Sequence, residues 1–539
     1  MRAHFETAGR QGANYVPLSP ISHLNRAAAV HGPRPAVVYG DMRYDYTTLA
    51  ARIRAVAGAL KARGIGQGDT VSVICPNIPE LYELHYAIPM IGAVLNTINM
   101  RLEAETIAYI FGHADTKLVI ADSAFGSVVH AAFDILGETK PLITIRDAQG
   151  PDAGTIGDSD YDHLLEGPTF TGTGLPEDEW QALALNYTSG TSGRPKGVVY
   201  HHRGAALMAS GTANGWPMPH YASYLSIVPM FHCNGWCHPW LMPLVGAKMV
   251  FTRDPVPQRI FDAIESENVT HFGAAPVILQ MLVESPHAPA TPYQTPINVF
   301  TAGAPPPPAI LEKTKKMGFD VMQVYGLTET YGHISQCLWQ DEWDDLTPSE
   351  QAELQAHQGV AFPMLEDVTV LDRETGARVP LDGETQGEIA IRGNTVMKNY
   401  YKDEAATAEA FKDGWFWSGD VAVMHPNGYI QIKDRLKDVI ISGGENISSV
   451  EVEAVLYRHP DVQAAAVVAK PDPKWGEVPC AFVELREGTN PSAEDIMTFC
   501  RGHLAGFKTP KAVVFVALPK TATGKIKKFE LRQQARSEG

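Results

Sequence analysis

Between residues 46 and 121, short β-branched runs alternate with amphipathic stretches, and this alternation constrains the fold more than any other feature of the chain. Residues 46–63 (YTTLAARIRAVAGALKAR) space their apolar side chains three and four apart and stop at Gly64, which predicts a helix. Residues 70–75 (TVSVIC) and 117–121 (KLVIA) predict strands. Strand and helix in alternation imply α/β layers around parallel strands. From about 360 to 433 the texture changes to closely spaced strand-like runs (VTVLD, GEIAIRG, GYIQIKD) parted by Gly, Asp and Asn, a small antiparallel β subdomain. Beyond the sequence DRLKD at 434–438 it changes again: helix at 450–458, strands at 462–469 and 481–485, helix at 493–504. About 100 residues suffice for an independent α+β domain. The expected division is therefore 1–435, including the β subdomain, and 436–539. The proline run 305–308 is read as a rigid loop.

Composition narrows the partners. The chain has 539 residues, 45% hydrophobic and 19% charged, with 44 Lys and Arg against 61 Asp and Glu, a formal charge of −17. Such acidity disfavours broad capture of nucleic acid or of an anionic membrane and leaves room for a local basic patch that holds a small anion. Six cysteines make no disulfide framework. The opening MRAHFETAGR has no apolar run of the secretory kind, and the most apolar early stretch, 84–100, is broken by His85, Pro89, Asn96 and Asn99. The reading is a cytoplasmic protein without a transmembrane segment and with small-molecule ligands. A homodimer is left open beside a monomer.

The most informative segment is Tyr187-Thr-Ser-Gly-Thr-Ser-Gly-Arg-Pro-Lys-Gly197. A strand-like run, 183–187, feeds a loop of hydroxylated residues and glycines, where amides and hydroxyls can surround phosphate oxygens and Lys196 adds a cation. The order differs from G-x-x-x-x-G-K-[ST], because glycine follows Lys196. A flexible Ser/Gly loop is the bland alternative. Together with Tyr325-Gly-Leu-Thr-Glu-Thr330, Trp415-Phe-Trp-Ser-Gly-Asp420, Lys433-Asp-Arg-Leu-Lys-Asp438 and Pro519-Lys-Thr-Ala-Thr-Gly-Lys525, the segment resembles the signature set of the adenylate-forming superfamily, which includes acyl-CoA synthetases, luciferases and peptide-synthetase adenylation domains. The resemblance spans nearly the whole chain. It implies a large N-terminal domain of layered α/β subdomains with a small β-barrel-like subdomain, hinged to a smaller α+β C-terminal domain.

The resemblance also implies chemistry and roles. A carboxylate attacks the α-phosphate of ATP, pyrophosphate leaves, and a thiol then captures the acyl-adenylate; ATP, Mg²⁺ and CoA are the expected cosubstrates and cofactor. Two anions must meet, so positioning and charge neutralisation dominate the barrier. Thr188, Ser189, Gly190, Thr191, Ser192, Gly193 and Lys196 would cradle phosphates. Gly303, Ala304, Pro305, Tyr325 and Gly326 would frame adenine. Asp420, Ile432 and Arg435 would hold the ribose side. Thr328 would donate to the α-phosphate, Glu329 with Thr191 would hold Mg²⁺, and Lys525 would bridge carboxylate and phosphate. Lys437 would be the hinge of a mobile C-terminal domain, and Ser442, Gly443, Gly444 and Glu445 would line the CoA channel. Taken singly, each such residue is more often solvated surface or core.

Pro229–His238 (PMFHCNGWCH) bears on the acid. Two Cys and two His invite a metal reading, but three residues part the cysteines and no second ligand pair follows. The run resembles the F-H-x-N-[GA] element of acyl-CoA synthetases. His232 stands where amino-acid-activating relatives usually have an aspartate for the substrate ammonium, which disfavours an amino acid. His232, Gly235, Trp236, Gly303, Gly326 and Tyr331 would form the acyl site, with Trp236 as a bulky wall; ordinary core is the alternative for Trp236. The wording F-H-C-N-G-W is most similar to ligases of 3-methylmercaptopropionate, of short to medium fatty acids and of some plant aromatic acids. The expectation is 3-methylmercaptopropionate first, with a medium-chain or aromatic acid as the alternative. A luciferase-like monooxygenase and a non-catalytic nucleotide-binding protein are readings of other classes.

Overall fold

A computed structural model of the chain describes residues 9–151, 153–188, 194–303, 306–443, 445–520 and 526–537. The first amphipathic stretch forms the helix Tyr46–Ala62, capped by the Asp45 carboxylate on the amide of Thr48; Gly64, at φ +80°, follows its end. Leu49, Ile53, Val56 and Leu60 are its buried stripe. The β-branched runs form Thr70–Ile74 and Thr116–Asp122, which pair in parallel. With Val94–Thr97, Leu142–Ile145 and Ala182–Tyr187 they make the parallel centre of an eight-stranded sheet, closed at one edge by Gly197–His201 and Asn399–Tyr400 running antiparallel.

A nine-stranded sheet faces it. Its parallel centre runs Phe319–Tyr325, Ile297–Thr301, His271–Ala274, Ser223–Ser226, Lys248–Phe251 and Pro35–Tyr39. One core joins the two sheets: Val37, Tyr224 and Phe300 of this sheet share it with Val71, Leu95 and Leu183 of the other, and helices Ile21–Val30, Tyr46–Ala62, Pro79–Met90, His202–Gly215 and His238–Val245 contribute side chains to it. The apolar stretch 84–100 is thus internal, divided between the helix Pro79–Met90 and the strand Val94–Thr97. Among the described residues no helix is long and apolar enough to cross a membrane.

Two details differ from the sequence reading. Pro308 opens the helix Pro308–Met317 rather than ending a rigid loop, because a first-turn residue needs no N–H partner. The antiparallel subdomain is an open five-stranded sheet: Leu365–Leu371, Gly387–Gly393 and Trp415–Met424 pair in turn, and both Phe411–Lys412 and Ile430–Arg435 attach to the last. Val360–Ala361 belongs instead to the edge of the nine-stranded sheet.

The C-terminal sheet carries apolar side chains on both faces. Along Val462–Asp472, Ala465 and Val467 face helices Ser449–Leu456 and Ala493–Arg501, while Ala464, Ala466 and Val468 face Lys528–Ser537. A helix layer on each side satisfies that period-two pattern. The carboxylate of Asp434 accepts from the amide of Ser449 at 2.5 Å, at the start of a helix, and Ser448 Oγ donates to the carbonyl of Lys433.

Glu83 shows how the N-terminal layers are locked. It is fully buried, and its carboxylate accepts from Arg52 Nε at 2.5 Å, Arg52 Nη2 at 3.3 Å, Tyr44 at 2.8 Å and Tyr161 at 2.9 Å. Removing the cation strands a buried charge. Arg52→Ala should cost about 3–5 kcal/mol, read as a lower urea midpoint; a midpoint equal to that of the parent would show that the pair is not holding the layers.

Candidate active site

The sheets deliver their chemistry at strand ends. Strand Ala182–Tyr187 leads into the phosphate-loop signature and Gly197–His201 returns antiparallel, with Tyr187 opposite Gly197. At the base of the loop, Thr188 N donates to Lys196 O at 3.0 Å and Lys196 N donates to Thr188 Oγ1 at 3.3 Å. Tyr187 is tied to His113 at 2.7 Å. Ser189, Gly190, Thr191, Ser192 and Gly193 lie outside the described residues, as do Ala304, Pro305, Gly444 and Lys525.

Gly303 and Gly326 follow the carboxyl ends of the neighbouring parallel strands Ile297–Thr301 and Phe319–Tyr325, the usual ligand side of such sheets. Gly326 passes so close to Gly332 that a Cβ would lie 1.6 Å from its carbonyl oxygen, so no side chain fits there. The turn then gives Thr328 and Glu329. Tyr200 OH donates to the Thr328 carbonyl at 2.6 Å, and Cys233 Sγ lies 3.5 Å from Thr328 Oγ1 and 3.6 Å from His232 Nε2. Thr328 and His232, nearly 100 residues apart in the chain, are thereby brought to one place through Cys233.

Glu329 is half-buried, and its Oε1 accepts from Tyr400 OH at 2.7 Å, while Lys196 Nζ stands 4.8 Å from the centroid of the same Tyr400 ring. A half-buried carboxylate beside a lysine and the end of the phosphate-loop segment suits a hard cation shared with phosphate oxygen. Tyr400 was not legible in the sequence, where Asn-Tyr-Tyr carries no local chemical signal.

Asp420 is the third focus. It is buried; Tyr325 OH donates to Oδ2 at 2.6 Å and Arg435 Nε lies 3.2 Å from Oδ1. Asp420 holds the Arg435 guanidinium above its usual range, while burial and then the carboxylate push up the Tyr325 phenol, so both stay donors. Ile432 lies on the paired strand, its amide donating to Gln358 Oε1 at 2.6 Å. Lys437, though exposed, has its ammonium pulled down to about 8 by desolvation and then by the Arg435 guanidinium.

Residues 233–237 have an unusual backbone. Cys233, Asn234, Gly235, Trp236 and Cys237 all have positive φ, from +39° to +62°. Four of the five are not glycine, and that strain must be held from outside. Asn186 Nδ2 donates to Asn234 Oδ1 at 2.5 Å, and Asn234 Nδ2 donates to His85 Nε2 at 3.4 Å. Burial pulls His85 down to about 4, so it is neutral and can accept. Asn77 fixes the approach through Met230 N at 2.8 Å and Val228 O at 2.7 Å. Cys237 Sγ is 3.5 Å from Tyr331 O, and His238 is buried at 2.6 Å from Tyr224 OH.

The strained turn presents Trp236 half-buried between two glycines. A Cβ on Gly273 would lie 3.1 Å from the indole Cζ3, and one on Gly332 would lie 3.3 Å from Trp236 Cβ. Tyr331, expected in the acyl site, has a fully buried ring stacked on Tyr200 at 3.9 Å, and its hydroxyl accepts from His201 N at 2.7 Å. Its side chain packs in the core, and its carbonyl meets Cys237 Sγ. Ser442, Gly443 and Glu445 form a hairpin whose hydrogen bonds stay within the C-terminal sheet; Gly443 N donates to Trp475 O at 2.8 Å. Lys520, the second residue of the lysine motif, bridges antiparallel to Ile526, the residue after it.

These foci define a nucleotide-activating enzyme of the adenylate-forming class. The AMP-binding enzyme family matches residues 24–401, and the AMP-binding enzyme C-terminal domain matches 451–525. An acetate–CoA ligase of Humulus lupulus is 47% identical over 98% of this chain and 97% of its own. A peroxisomal acetate/butyrate–CoA ligase of Arabidopsis thaliana is 45% identical over 98% and 96%. The crystal structure of ATP-bound MatB from Rhodopseudomonas palustris superposes with a TM-score of 0.83 at 25% identity, covering 96% of this chain and 99% of that one. The chain belongs to the AMP-binding enzyme family and is an AMP-forming acyl-CoA ligase that uses ATP, Mg²⁺ and CoA. That class displaces the luciferase-like and non-catalytic readings.

The close approach at Gly326 makes a direct test. Gly326→Ala should displace the turn that carries Thr328 and Glu329, at a cost of about 1–3 kcal/mol or more, and weaken ATP binding in calorimetry. Unchanged affinity would separate this turn from the nucleotide site.

Proposed function

We propose that this ligase activates a short carboxylic acid, from acetate- and butyrate-sized substrates up to 3-methylmercaptopropionate, in the cytoplasm. The observation that carries the reading is the Trp236 indole, seated between Gly273 and Gly332 on the strained 233–237 turn and one residue from Gly235. An indole that can neither tilt into Gly273 nor retreat past Gly332 makes a fixed wall, and a fixed wall selects by length. The acetate and acetate/butyrate specificities of the two plant relatives support the short end. A thioether acid and an alkanoate of similar length differ little to an apolar pocket, where one methylene is worth about 1–3 kcal/mol. A medium-chain or aromatic acid is the alternative that a displaced indole would admit.

The chemistry follows from the charges. The acid's carboxylate attacks the α-phosphorus of ATP, the bond to the β-phosphate bridging oxygen breaks, and pyrophosphate leaves with that electron pair. Lys196 faces the departing phosphates, Thr328 donates to the α-phosphate, and Glu329 would hold Mg²⁺, which would supply charge to offset the phosphates. Asp420 accepts from the ribose hydroxyls, sharing its oxygens with Tyr325 and Arg435. His232 stands at the carboxylate, and Lys525 bridges carboxylate and phosphate. In the second step the C-terminal domain of residues 436–539 turns about Lys437, Ser442–Glu445 reaches the adenylate, and the CoA thiolate attacks its carbonyl with AMP as leaving group.

Three measurements test this. A panel of alkanoic, thioether and aromatic acids assayed for CoA-dependent AMP formation should peak among the short acids; a peak at medium-chain or aromatic acids favours the alternative. Trp236→Gly should raise kcat/KM for hexanoate relative to butyrate by about 10-fold or more, the value of one or two methylenes, and an unchanged ratio would remove Trp236 from the pocket. Lys525→Ala should abolish adenylate formation yet largely spare thioester formation from supplied acyl-adenylate; equal loss of both would contradict the division of labour.

A further inference from the structure

The carboxylate of Glu329 and the ammonium of Lys196 flank one side chain and do not form an ion pair with each other in the structure. Two opposite charges at the mouth of a phosphate site would ordinarily collapse together, and the pair would then have to break before metal and phosphate could enter. We propose that Tyr400 is a positioning residue for adenylation: its hydroxyl anchors one oxygen of Glu329 and its ring seats Lys196, so that carboxylate and cation are kept apart and aimed. The inference rests on the roles given above to Glu329 and Lys196.

The geometry supports it from both sides. Tyr400 OH donates to Glu329 Oε1 at 2.7 Å, so the anchor engages one carboxylate oxygen and not the other, Oε2. Lys196 Nζ lies 4.8 Å from the ring centroid, where the negative face of the ring attracts the ammonium without neutralising it. The ring itself is fixed. Tyr400 is buried, pairs with Val198 in the edge of the eight-stranded sheet, and its amide donates to Thr407 Oγ1 at 3.1 Å. The same short segment holds the other end of Glu329, since Met397 N donates to the Glu329 carbonyl at 2.7 Å. One side chain therefore couples the phosphate-loop lysine to the carboxylate of the turn after Tyr325, which lies more than 130 residues further along the chain.

The test separates hydroxyl from ring. In Tyr400→Phe the ring stays and the anchor on Glu329 goes; in Tyr400→Leu both go. ATP affinity is measured by calorimetry with Mg²⁺ and again in EDTA, and thioester formation from supplied acyl-adenylate serves as the control for folding. Tyr400→Phe should cut the Mg²⁺-dependent gain in ATP affinity by several-fold, with affinity in EDTA and the thioester step unchanged. Tyr400→Leu should also weaken binding in EDTA. A parental Mg²⁺ gain in Tyr400→Phe, or an equal loss of every activity, would overturn the proposal. Glu329→Gln distinguishes the two layers of the argument: if it too leaves the Mg²⁺ gain intact, the metal role of Glu329 fails and the Tyr400 proposal falls with it, whereas a lost gain in Glu329→Gln beside an intact one in Tyr400→Phe rejects Tyr400 alone.

Discussion

Asp420 is the joint on which the arrangement turns. Its buried carboxylate receives Tyr325 from the last residue of a nine-stranded-sheet strand and Arg435 from the last residue of the strand Ile430–Arg435, two residues before Lys437. Three separate pieces of chain, the parallel sheet, the antiparallel subdomain and the approach to the C-terminal domain, are thereby referred to one pair of oxygens. A buried carboxylate is stable only while such donors remain. Tyr325 and the segment leading to Lys437 therefore share a constraint, and a ligand that contacted Asp420 would be coupled to that segment.

From that joint the contacts run along the chain toward the C-terminal domain. Arg435 is followed within a few residues by Lys437 and by Asp438, which pairs with Arg532 of the last helix. Asp434, one residue before Arg435, caps the first helix of the C-terminal domain through Ser449. Lys528, three residues beyond the lysine motif, reaches Glu453 at 2.7 Å and Ser449 Oγ at 2.6 Å. Helix Lys528–Ser537 thus ties back to Asp438, Ser449 and Glu453, all of them beyond Lys437. Across Lys437 itself run the bonds from Ser449 N to Asp434 and from Ser448 Oγ to the Lys433 carbonyl, and a rotation at Lys437 would have to exchange those for others, which gives a physical basis for two discrete arrangements rather than a continuum.

The layered fold was legible because its signals are local. The period of residues 46–63 and the stop at Gly64 specify a helix without help from the rest of the chain, and TVSVIC reads as a strand for the same reason. The ordered motifs likewise gave Thr328, Glu329, Asp420 and Arg435, which the fold brings to one side of the sheets. What escaped was tertiary. Tyr400 matters only because strand Asn399–Tyr400 is laid beside Glu329, and no feature of its neighbours in sequence says so. The surroundings of Tyr331, expected in the acyl site, are tertiary too: its ring stacks on Tyr200, and a Cβ on Gly204 would lie 2.4 Å from it. The left-handed course of 233–237 was equally silent, since Cys, Asn and Trp do not announce positive φ; Asn186, His85 and Asn77 impose it from distant strands and helices.

The central claim is that this site makes a mixed anhydride from an acid and ATP before any thiol is involved. Isotope exchange between labelled pyrophosphate and ATP, measured with Mg²⁺ and a short acid but without CoA, reads that step alone. Exchange that depends on both the acid and Mg²⁺ is the predicted result. If exchange is absent without CoA for every acid tried while acyl-CoA still accumulates when CoA is added, activation does not pass through a separate adenylate, and the account is wrong.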